Sequence, residues 1–136
     1  MSDDSIREIL NRTKRIAVVG ASNKKERPSY GVMAFLIAQG FDVTPVNPGL
    51  AGQEILGRRV VANLDEAGPL DMVDLFRNAA EVEGPVRDAI RLGAKTIWMQ
   101  LGVVNEEVAE TARKAGLAVV MDRCPAIEMP RLGLVR

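Results

Sequence analysis

The sequence predicts an α/β fold, a doubly wound parallel sheet of five strands with helices on both faces. Three observations predict it. Short apolar runs alternate with helical patterns five times along the 136 residues. These runs are continuously apolar, which is typical of parallel strands buried on both faces. The first run ends in Gly20-Ala21-Ser22, and a polar loop and a helical pattern from Pro28 follow, as in the first strand and helix of a nucleotide-binding domain.

The elements follow one another regularly. Ser2 suits the cap of a short helix that carries Ile6, Ile9 and Leu10 on one face. Strands are expected at residues 15–20, 41–46, 72–76, 96–100 and 117–121. Longer helices are expected at 28–39, 79–92 and 105–114, with one helical turn at 64–67 and a small hairpin around 58–61. Right-handed crossovers between the strands are expected to give the order 3-2-1-4-5.

The composition excludes several classes of protein. Lys plus Arg and Asp plus Glu are both 18, so the net charge is +0, which argues against a nucleic-acid-binding protein. The absence of histidine removes histidine-based acid–base catalysis and most zinc sites. The one cysteine excludes an internal disulfide and suits a reducing cytoplasm. With no secretory segment or membrane-spanning run, we expect one cytoplasmic domain over residues 1–136.

Small or polar residues follow every strand of the predicted sheet. Ligands of doubly wound sheets bind at the carboxyl ends of the strands, where the strand order reverses. In the order 3-2-1-4-5, Gly20-Ala21-Ser22 is therefore expected to face Gln100-Leu101-Gly102 across one crevice. The other clusters are Val46-Asn47-Pro48, Phe76-Arg77-Asn78 and Asp122-Arg123-Cys124. Together they indicate a binding site more strongly than any one does.

The turn after the first strand suits phosphate. Its small residues let backbone N–H groups approach a phosphate, and the following helix aims its dipole at the same place. Lys24, Lys25 and Arg27 add positive charge, although a solvated basic loop has the same composition. The turn is not a dinucleotide fingerprint, because Gly20 is its only glycine, and Asn47 stands where NAD enzymes usually carry an acidic residue.

Several blocks of the sequence carry a family resemblance when they are taken together. They are Val18-Val19-Gly20-Ala21-Ser22, Arg27-Pro28-Ser29-Tyr30, Pro45-Val46-Asn47-Pro48, Val73-Asp74-Leu75-Phe76-Arg77, Gly93-Ala94-Lys95, Trp98-Met99-Gln100-Leu101-Gly102 with Asn105-Glu106-Glu107, and Met121-Asp122-Arg123-Cys124. In order and spacing they resemble the small stand-alone CoA-binding proteins. That family is similar to the CoA-binding domain of the succinyl-CoA synthetase alpha subunit.

The resemblance implies a Rossmann-like fold that binds coenzyme A at the strand ends. It implies that Gly20, Ala21 and Ser22 contact the nucleotide phosphates. Their charge would pair with Lys24 and Arg27, beside Pro28 at the helix start. The adenosine side would be lined by Val46, Asn47, Pro48, Phe76 and Arg77, and the pantetheine side by Gln100, Leu101 and Gly102. Unlike the synthetase, the chain has no histidine to phosphorylate, so ligation by that route is excluded.

Three functions stay open on the sequence. The first is a module that binds CoA or an acyl-CoA without chemistry of its own, since no nucleophile–base pair and no metal-ligating cluster is visible. The second is an NADP-dependent oxidoreductase in which Lys24 and Arg27 take the 2′-phosphate. The third is a non-catalytic subunit that lends a CoA site to a partner enzyme, and a homo-oligomer is also open. Cys124 is either a buried small hydrophobe or a partner for a mixed disulfide with CoA.

Overall fold

The computed structural model describes all 136 residues, and its main sheet has five parallel strands. The strands are β1 (Arg15–Val19), β2 (Asp42–Val46), β3 (Glu54–Ile55), β4 (Arg58–Arg59), β5 (Met72–Leu75), β6 (Thr96–Met99) and β7 (Ala118–Val120). The helices are α1 (Asp3–Arg12), α2 (Pro28–Ala38), α3 (Glu83–Arg91), α4 (Glu106–Lys114) and α5 (Pro125–Arg131). β3 and β4 form a separate antiparallel pair. None of these helices combines the length and the apolarity that crossing a membrane requires.

Helices cover both faces of the sheet, as the sequence predicts. α1, α2 and α5 bury their apolar residues on one face, in a cluster that includes Met33 and Trp98. α3 and α4 bury theirs on the other face, in a cluster that includes Val73, Val86 and Ala109. All strand pairs of the main sheet are parallel. The doubly wound, Rossmann-like fold class is thus confirmed.

The place of one strand differs from the expected order 3-2-1-4-5. The observed order is β2-β1-β5-β6-β7, so the third strand of the sheet, β5, pairs directly with β1, with Val18 opposite Asp74. β2 lies at the edge instead. Pro45 explains the edge position of β2. On the side of β2 that faces away from β1, the carbonyl of Pro45 accepts a hydrogen bond from the N–H of Val61. Proline has no N–H to donate on that same side, so a further strand could not pair regularly there. The strand order therefore reverses between β1 and β5.

Short segments account for the remaining differences. The expected hairpin is present as β3 and β4, and the expected helical turn is a 3-10 turn at Leu64–Ala67. The expected helix at 79–92 is split into a 3-10 turn at Ala79–Glu81 and α3. α5 was not expected, because it has only seven residues and includes Pro125 and Pro130. Pro125 is tolerated in the first turn, where its missing N–H needs no partner.

Candidate functional site

A crevice of about 710 Å³ opens where the strand order reverses. The carboxyl ends of β1, β5 and β6 and the start of α2 contribute its walls. Most residues predicted to bind a cofactor line it, namely Gly20, Ala21, Ser22, Lys24, Arg27, Pro28, Asn47, Phe76, Arg77, Gln100 and Leu101. The crevice also has lining residues that were not assigned to binding, among them Asn23, Ser29, Val32, Leu50, Asn78, Val103 and Cys124. Ser29 and Val32 were recognisable as the residues one and four positions into the predicted helix.

Gly20 allows β1 and β5 to come close at the base of the crevice. Its φ is +84°, in the left-handed region that favours glycine. A Cβ built there would overlap the carbonyl oxygen of Phe76 and lie 3.1 Å from Cδ of Arg77. β5 stands between β1 and β6 in the sheet. Gly20 and Gln100 are therefore separated by one strand, although both line the same crevice.

The backbone amides of the first turn are already paired within the protein. The N–H groups of Gly20 and Ala21 donate to the carbonyl of Val46 at 3.0 and 3.3 Å. The N–H of Ser22 donates to Oγ of Ser29 at 3.1 Å. This corrects the expectation that these small residues offer free N–H groups to a phosphate. Their small side chains leave the crevice open at this point, and the unpaired positive charge there belongs to Lys24 and Arg27.

Asn47 fastens this turn to the segment after β2. Its Nδ2 donates to the carbonyl of Ala21 at 2.8 Å, and its Oδ1 accepts from the N–H of Gly49 at 2.9 Å. Both ends of the amide are thus engaged by the backbone. Asn47 therefore lines the crevice and also links the two loops through these hydrogen bonds.

Positive charge without a partner collects at one rim of the crevice. Lys24 and Arg27 are exposed, line the crevice and have no carboxylate within ion-pair distance. Arg77, in contrast, is paired with Glu81 at 2.6 Å. Arg27 also stands at the N-cap of α2, where no side chain caps the helix, so the dipole of α2 adds to the positive field.

A smaller cavity of about 260 Å³ adjoins the crevice. The two share Gly20 and Arg77 in their linings. Val46 and Pro48 line the smaller cavity and not the larger one. Gly102 lines neither cavity, and its N–H donates to Oδ1 of Asp122 at 2.7 Å. The pantetheine role that the resemblance implies for Gly102 stays a prediction.

A buried polar pair lies beneath the crevice. Asp74, in the middle sheet strand β5, is 0% exposed, and Gln100, just after β6, is 6% exposed. With the Gln100 amide oriented so that both groups are satisfied, its nitrogen donates to Oδ1 of Asp74 at 2.9 Å and to Oδ2 at 3.2 Å. Burial alone raises the pKa of Asp74 well above its usual range, because the charged form loses its water.

Cys124 closes the far end of the crevice. It is 6% exposed and belongs to the apolar cluster under α1, α2 and α5, yet it also lines the crevice. The neighbouring Arg123 donates to Oε1 of Glu128 at 2.7 Å. The expected packing of Cys124 as a small buried hydrophobe is therefore what the structure contains. Trp98 is likewise a core residue, fully buried, with its Nε1 donating to the carbonyl of Arg123.

Comparison with known proteins gives consistent matches over nearly the whole chain. An uncharacterized protein of Bacillus subtilis (strain 168), YneT, is 39% identical over 124 residues, which are 90% of each chain. A hypothetical protein from Pyrococcus horikoshii OT3 is 42% identical with a TM-score of 0.91, covering 97% of this chain and 92% of that chain. The structure of cell-free ID.343 from Thermus thermophilus is 35% identical with a TM-score of 0.91, covering 97% of this chain and 99% of that chain.

A family model places these similarities in one family. The model for the CoA binding domain matches residues 14–130, a range that includes every strand of the main sheet and the whole crevice lining. The chain therefore belongs to the CoA-binding domain family.

Proposed function

We propose that this protein binds coenzyme A or an acyl-CoA in the crevice at the carboxyl ends of β1, β5 and β6. The observation that carries the proposal is the combination of two unlike regions in one cavity. The lining includes the unpaired cations Lys24 and Arg27 as well as the apolar side chains of Leu101 and Val103. CoA needs both, because it joins a polyphosphorylated nucleotide to a long, uncharged pantetheine arm. The family membership of the chain supports the same ligand.

The two cavities suggest how the ligand is arranged. Its phosphates lie by Lys24 and Arg27 at the start of α2, where side-chain charge and helix dipole act together. The adenosine extends towards the smaller cavity, which is lined by Val46 and Pro48. The pantetheine arm runs in the opposite direction over Gln100. Because Gly20 and Arg77 line both cavities, a single extended molecule can pass between them.

The residues around the crevice suit binding rather than chemistry. The Oγ of Ser29 accepts a hydrogen bond from the N–H of Ser22, and the Oγ of Ser22 accepts one from the N–H of Lys24. Neither hydroxyl has a histidine to activate it as a nucleophile, since the sequence contains none. We therefore propose that the protein holds CoA without transforming it.

The alternative of an NADP-dependent oxidoreductase receives less support. Dinucleotide-binding domains bring their backbone close to the pyrophosphate through a turn with three glycines. Here Gly20 is the only glycine of that turn, and the N–H groups of Gly20 and Ala21 donate to the carbonyl of Val46. The turn therefore lacks the glycines on which that mode of binding depends.

The experiment is calorimetric titration of CoA into the wild-type protein, Arg27→Ala and Lys25→Ala. Arg27 and Lys25 are both exposed and unpaired in the same loop, but only Arg27 lines the crevice. Charge-assisted hydrogen bonds are worth about 1.5–3 kcal/mol, so Arg27→Ala is expected to weaken CoA binding about tenfold or more. Lys25→Ala is expected to change it by less than about threefold, through long-range charge alone. Unfolding free energies should hardly change in either variant.

Equal affinities in all three proteins would indicate that the basic loop is solvated and that CoA does not bind there. A comparison with 3′-dephospho-CoA adds detail to a positive result. If removing the 3′-phosphate weakens binding to the wild type but has no further effect on Arg27→Ala, Arg27 contacts that phosphate.

A further inference from the structure

Asp122 adopts a backbone conformation that is uncommon for residues with a side chain. It lies two residues after β7, and its φ is +57°, in the left-handed region that favours glycine. Only one other non-glycine residue of the chain, Leu56, has a positive φ. Aspartate tolerates this region better than most residues do, because its short polar side chain bonds to nearby backbone. Such a conformation persists where surrounding contacts hold it in place.

The side chain of Asp122 contacts the turn that follows β6. Its Oδ1 accepts a hydrogen bond from the N–H of Gly102 at 2.7 Å. The turn spans residues 100–103, and the N–H of Val103 donates to the carbonyl of Gln100 at 2.9 Å. Gly102 is the third residue of the turn and has a φ of +80°, which is typical of a type II turn. The turn is thus closed by one hydrogen bond of its own and held against the segment after β7 by another.

Leu101 is the second residue of this turn, and it lines the crevice. It is 56% exposed, the largest exposed fraction among the exposed large apolar side chains of the chain. A single exposed leucine is ordinary on a protein surface, but the backbone of this one is held on a turn with two hydrogen bonds. Val103, which is buried, lines the crevice beside it. The turn therefore presents a fixed apolar surface that is open to a ligand.

We propose that Asp122 is a positioning residue, which holds this turn so that Leu101 packs against the uncharged pantetheine arm of the ligand. The inference rests on the proposed CoA site and assigns to it a contact that binds the arm and not the nucleotide. When the arm covers the exposed part of Leu101, apolar surface of both partners leaves water. Because the turn is fixed before the ligand arrives, little conformational freedom is lost on binding.

The first test removes the carboxylate and leaves the backbone conformation favourable. Asp122→Gly suits the positive φ. Asp122→Asn suits it as well, and keeps an oxygen that accepts a hydrogen bond from Gly102. Both variants remove the same charge, so the difference between them measures the hydrogen bond to the turn. Urea denaturation checks that both fold, and calorimetry measures their affinities for CoA and for adenosine 3′,5′-bisphosphate, which has no pantetheine arm.

We expect Asp122→Gly to bind CoA about threefold to tenfold more weakly than the wild type, because the turn loses one hydrogen bond. Asp122→Asn is expected to recover most of that loss. The bisphosphate should bind to all three proteins within about twofold, since it does not reach Leu101. Equal losses for both ligands, an unchanged CoA affinity in Asp122→Gly, or an Asp122→Asn protein that binds no better than Asp122→Gly would overturn the proposal.

The second test asks whether Asp122 acts through Leu101. Leu101→Ala shortens the side chain proposed to meet the arm. Its matched control is Val104→Ala, which shortens another exposed apolar side chain of the same loop that does not line the crevice. We expect Leu101→Ala to weaken CoA binding about threefold to tenfold, and Val104→Ala to leave it within about twofold of wild type.

The double variant Asp122→Gly/Leu101→Ala completes the cycle. Its CoA affinity is expected to lie within about twofold of that of Leu101→Ala, because both substitutions act on the same contact. Losses that add in the double variant would mean that Asp122 acts on another part of the site, and would contradict the positioning role. A wild-type protein that binds neither CoA nor the bisphosphate would overturn the CoA site and this inference together, an outcome distinct from those in which only the variants behave differently.

Discussion

Gly20 is the residue on which the geometry of the crevice depends most closely. Its positive φ and the carbonyl of Phe76 beside it leave no room for a side chain. Phe76 and Arg77, which Gly20 approaches, line the same crevice as the rim cations Lys24 and Arg27. Adding a single methyl group at position 20 therefore tests whether the fold depends on this close approach.

We expect Gly20→Ala to destabilise the protein more than Gly40→Ala. Both glycines have positive φ, but a Cβ at Gly40 would meet nothing within 4 Å. A non-glycine residue with positive φ lowers the free energy of unfolding by about 1–3 kcal/mol, and Gly40→Ala should show this loss alone. The loss should be larger in Gly20→Ala, because the added Cβ also overlaps the carbonyl oxygen of Phe76. Urea denaturation of the two variants measures the difference in their free energies of unfolding. Equal decreases would contradict the prediction, because they would mean that β1 and β5 move apart at position 20 without any loss of stability.

At the scale of single elements, the β3–β4 hairpin contains a local conflict. Its two turn residues, Leu56 and Gly57, have φ of 52° and 77°. Positive φ at both positions is the geometry of a type I′ turn, which favours Asn-Gly. Leucine is unfavourable there, since the left-handed region costs an ordinary side chain about 1–2 kcal/mol.

We expect Leu56→Asn to raise the free energy of unfolding by up to about 1 kcal/mol. Leu56→Ala serves as the control, because it removes the same exposed side chain without supplying a residue that tolerates positive φ. The comparison is made by urea denaturation. If Asn and Ala give the same stability, the turn adjusts its backbone and stores no strain.

Helices α1 and α5 are joined by a charge network around Glu128. The carboxylate is 5% exposed and accepts hydrogen bonds from Arg131 and Arg123. Arg131 also reaches Asp3 in α1 at 2.9 Å. The hydrogen bond from Arg131 is the main cause that lowers the pKa of Glu128 below its usual 4.5. The folded state therefore favours the ionised form, and this stabilisation is complete above about pH 4.5 and lost as the pH falls through the lowered pKa.

We expect Glu128→Gln to lower the free energy of unfolding at about pH 7 by about 1–3 kcal/mol, because the three part-buried charge-assisted hydrogen bonds that the carboxylate accepts from Arg123 and Arg131 are weakened or lost. At about pH 3 the difference from wild type should shrink, since the wild-type carboxyl is then being protonated as well. The matched control is Glu54→Gln, an exposed acid without an ion pair. A Glu128→Gln deficit that stays constant with pH would contradict the network.

At the scale of the whole molecule, the sequence predicts those strands and helices that depend on local patterns of apolar residues. Apolar runs and helical spacing locate the five strands and most helices because these periodicities lie within short windows. The position of β5 beside β1 depends on contacts between segments that are distant in the sequence. The sequence contains only one indirect indication of it: Pro45 lies within β2, and a strand that contains proline favours the edge of a sheet. α5 escaped prediction because two prolines obscure a helix of seven residues.

The candidate site also has features that the sequence predicts and features that it does not. Clusters that follow the strands predict most of the crevice lining, since parallel strands bring their carboxyl ends to one edge. The bonds that occupy the amides of Gly20 and Ala21 were not predictable, because their acceptor, Val46, lies in another strand. Asp74 was visible as an acid inside an apolar strand, but its partner Gln100 is known only once β5 and β6 are paired.

Competitive calorimetry on the wild-type protein tests the central claim most directly. CoA, NAD and NADP are titrated under the same salt concentration, since phosphate contacts are screened by salt. The crevice joins unpaired cations to apolar side chains, its first turn lacks the three glycines of dinucleotide-binding domains, and for NAD it also lacks the acid that binds the ribose. CoA is therefore expected to bind at least about tenfold more tightly than either dinucleotide, a difference of about 1.4 kcal/mol. Equal or tighter binding of NADP would contradict the account and favour the oxidoreductase alternative.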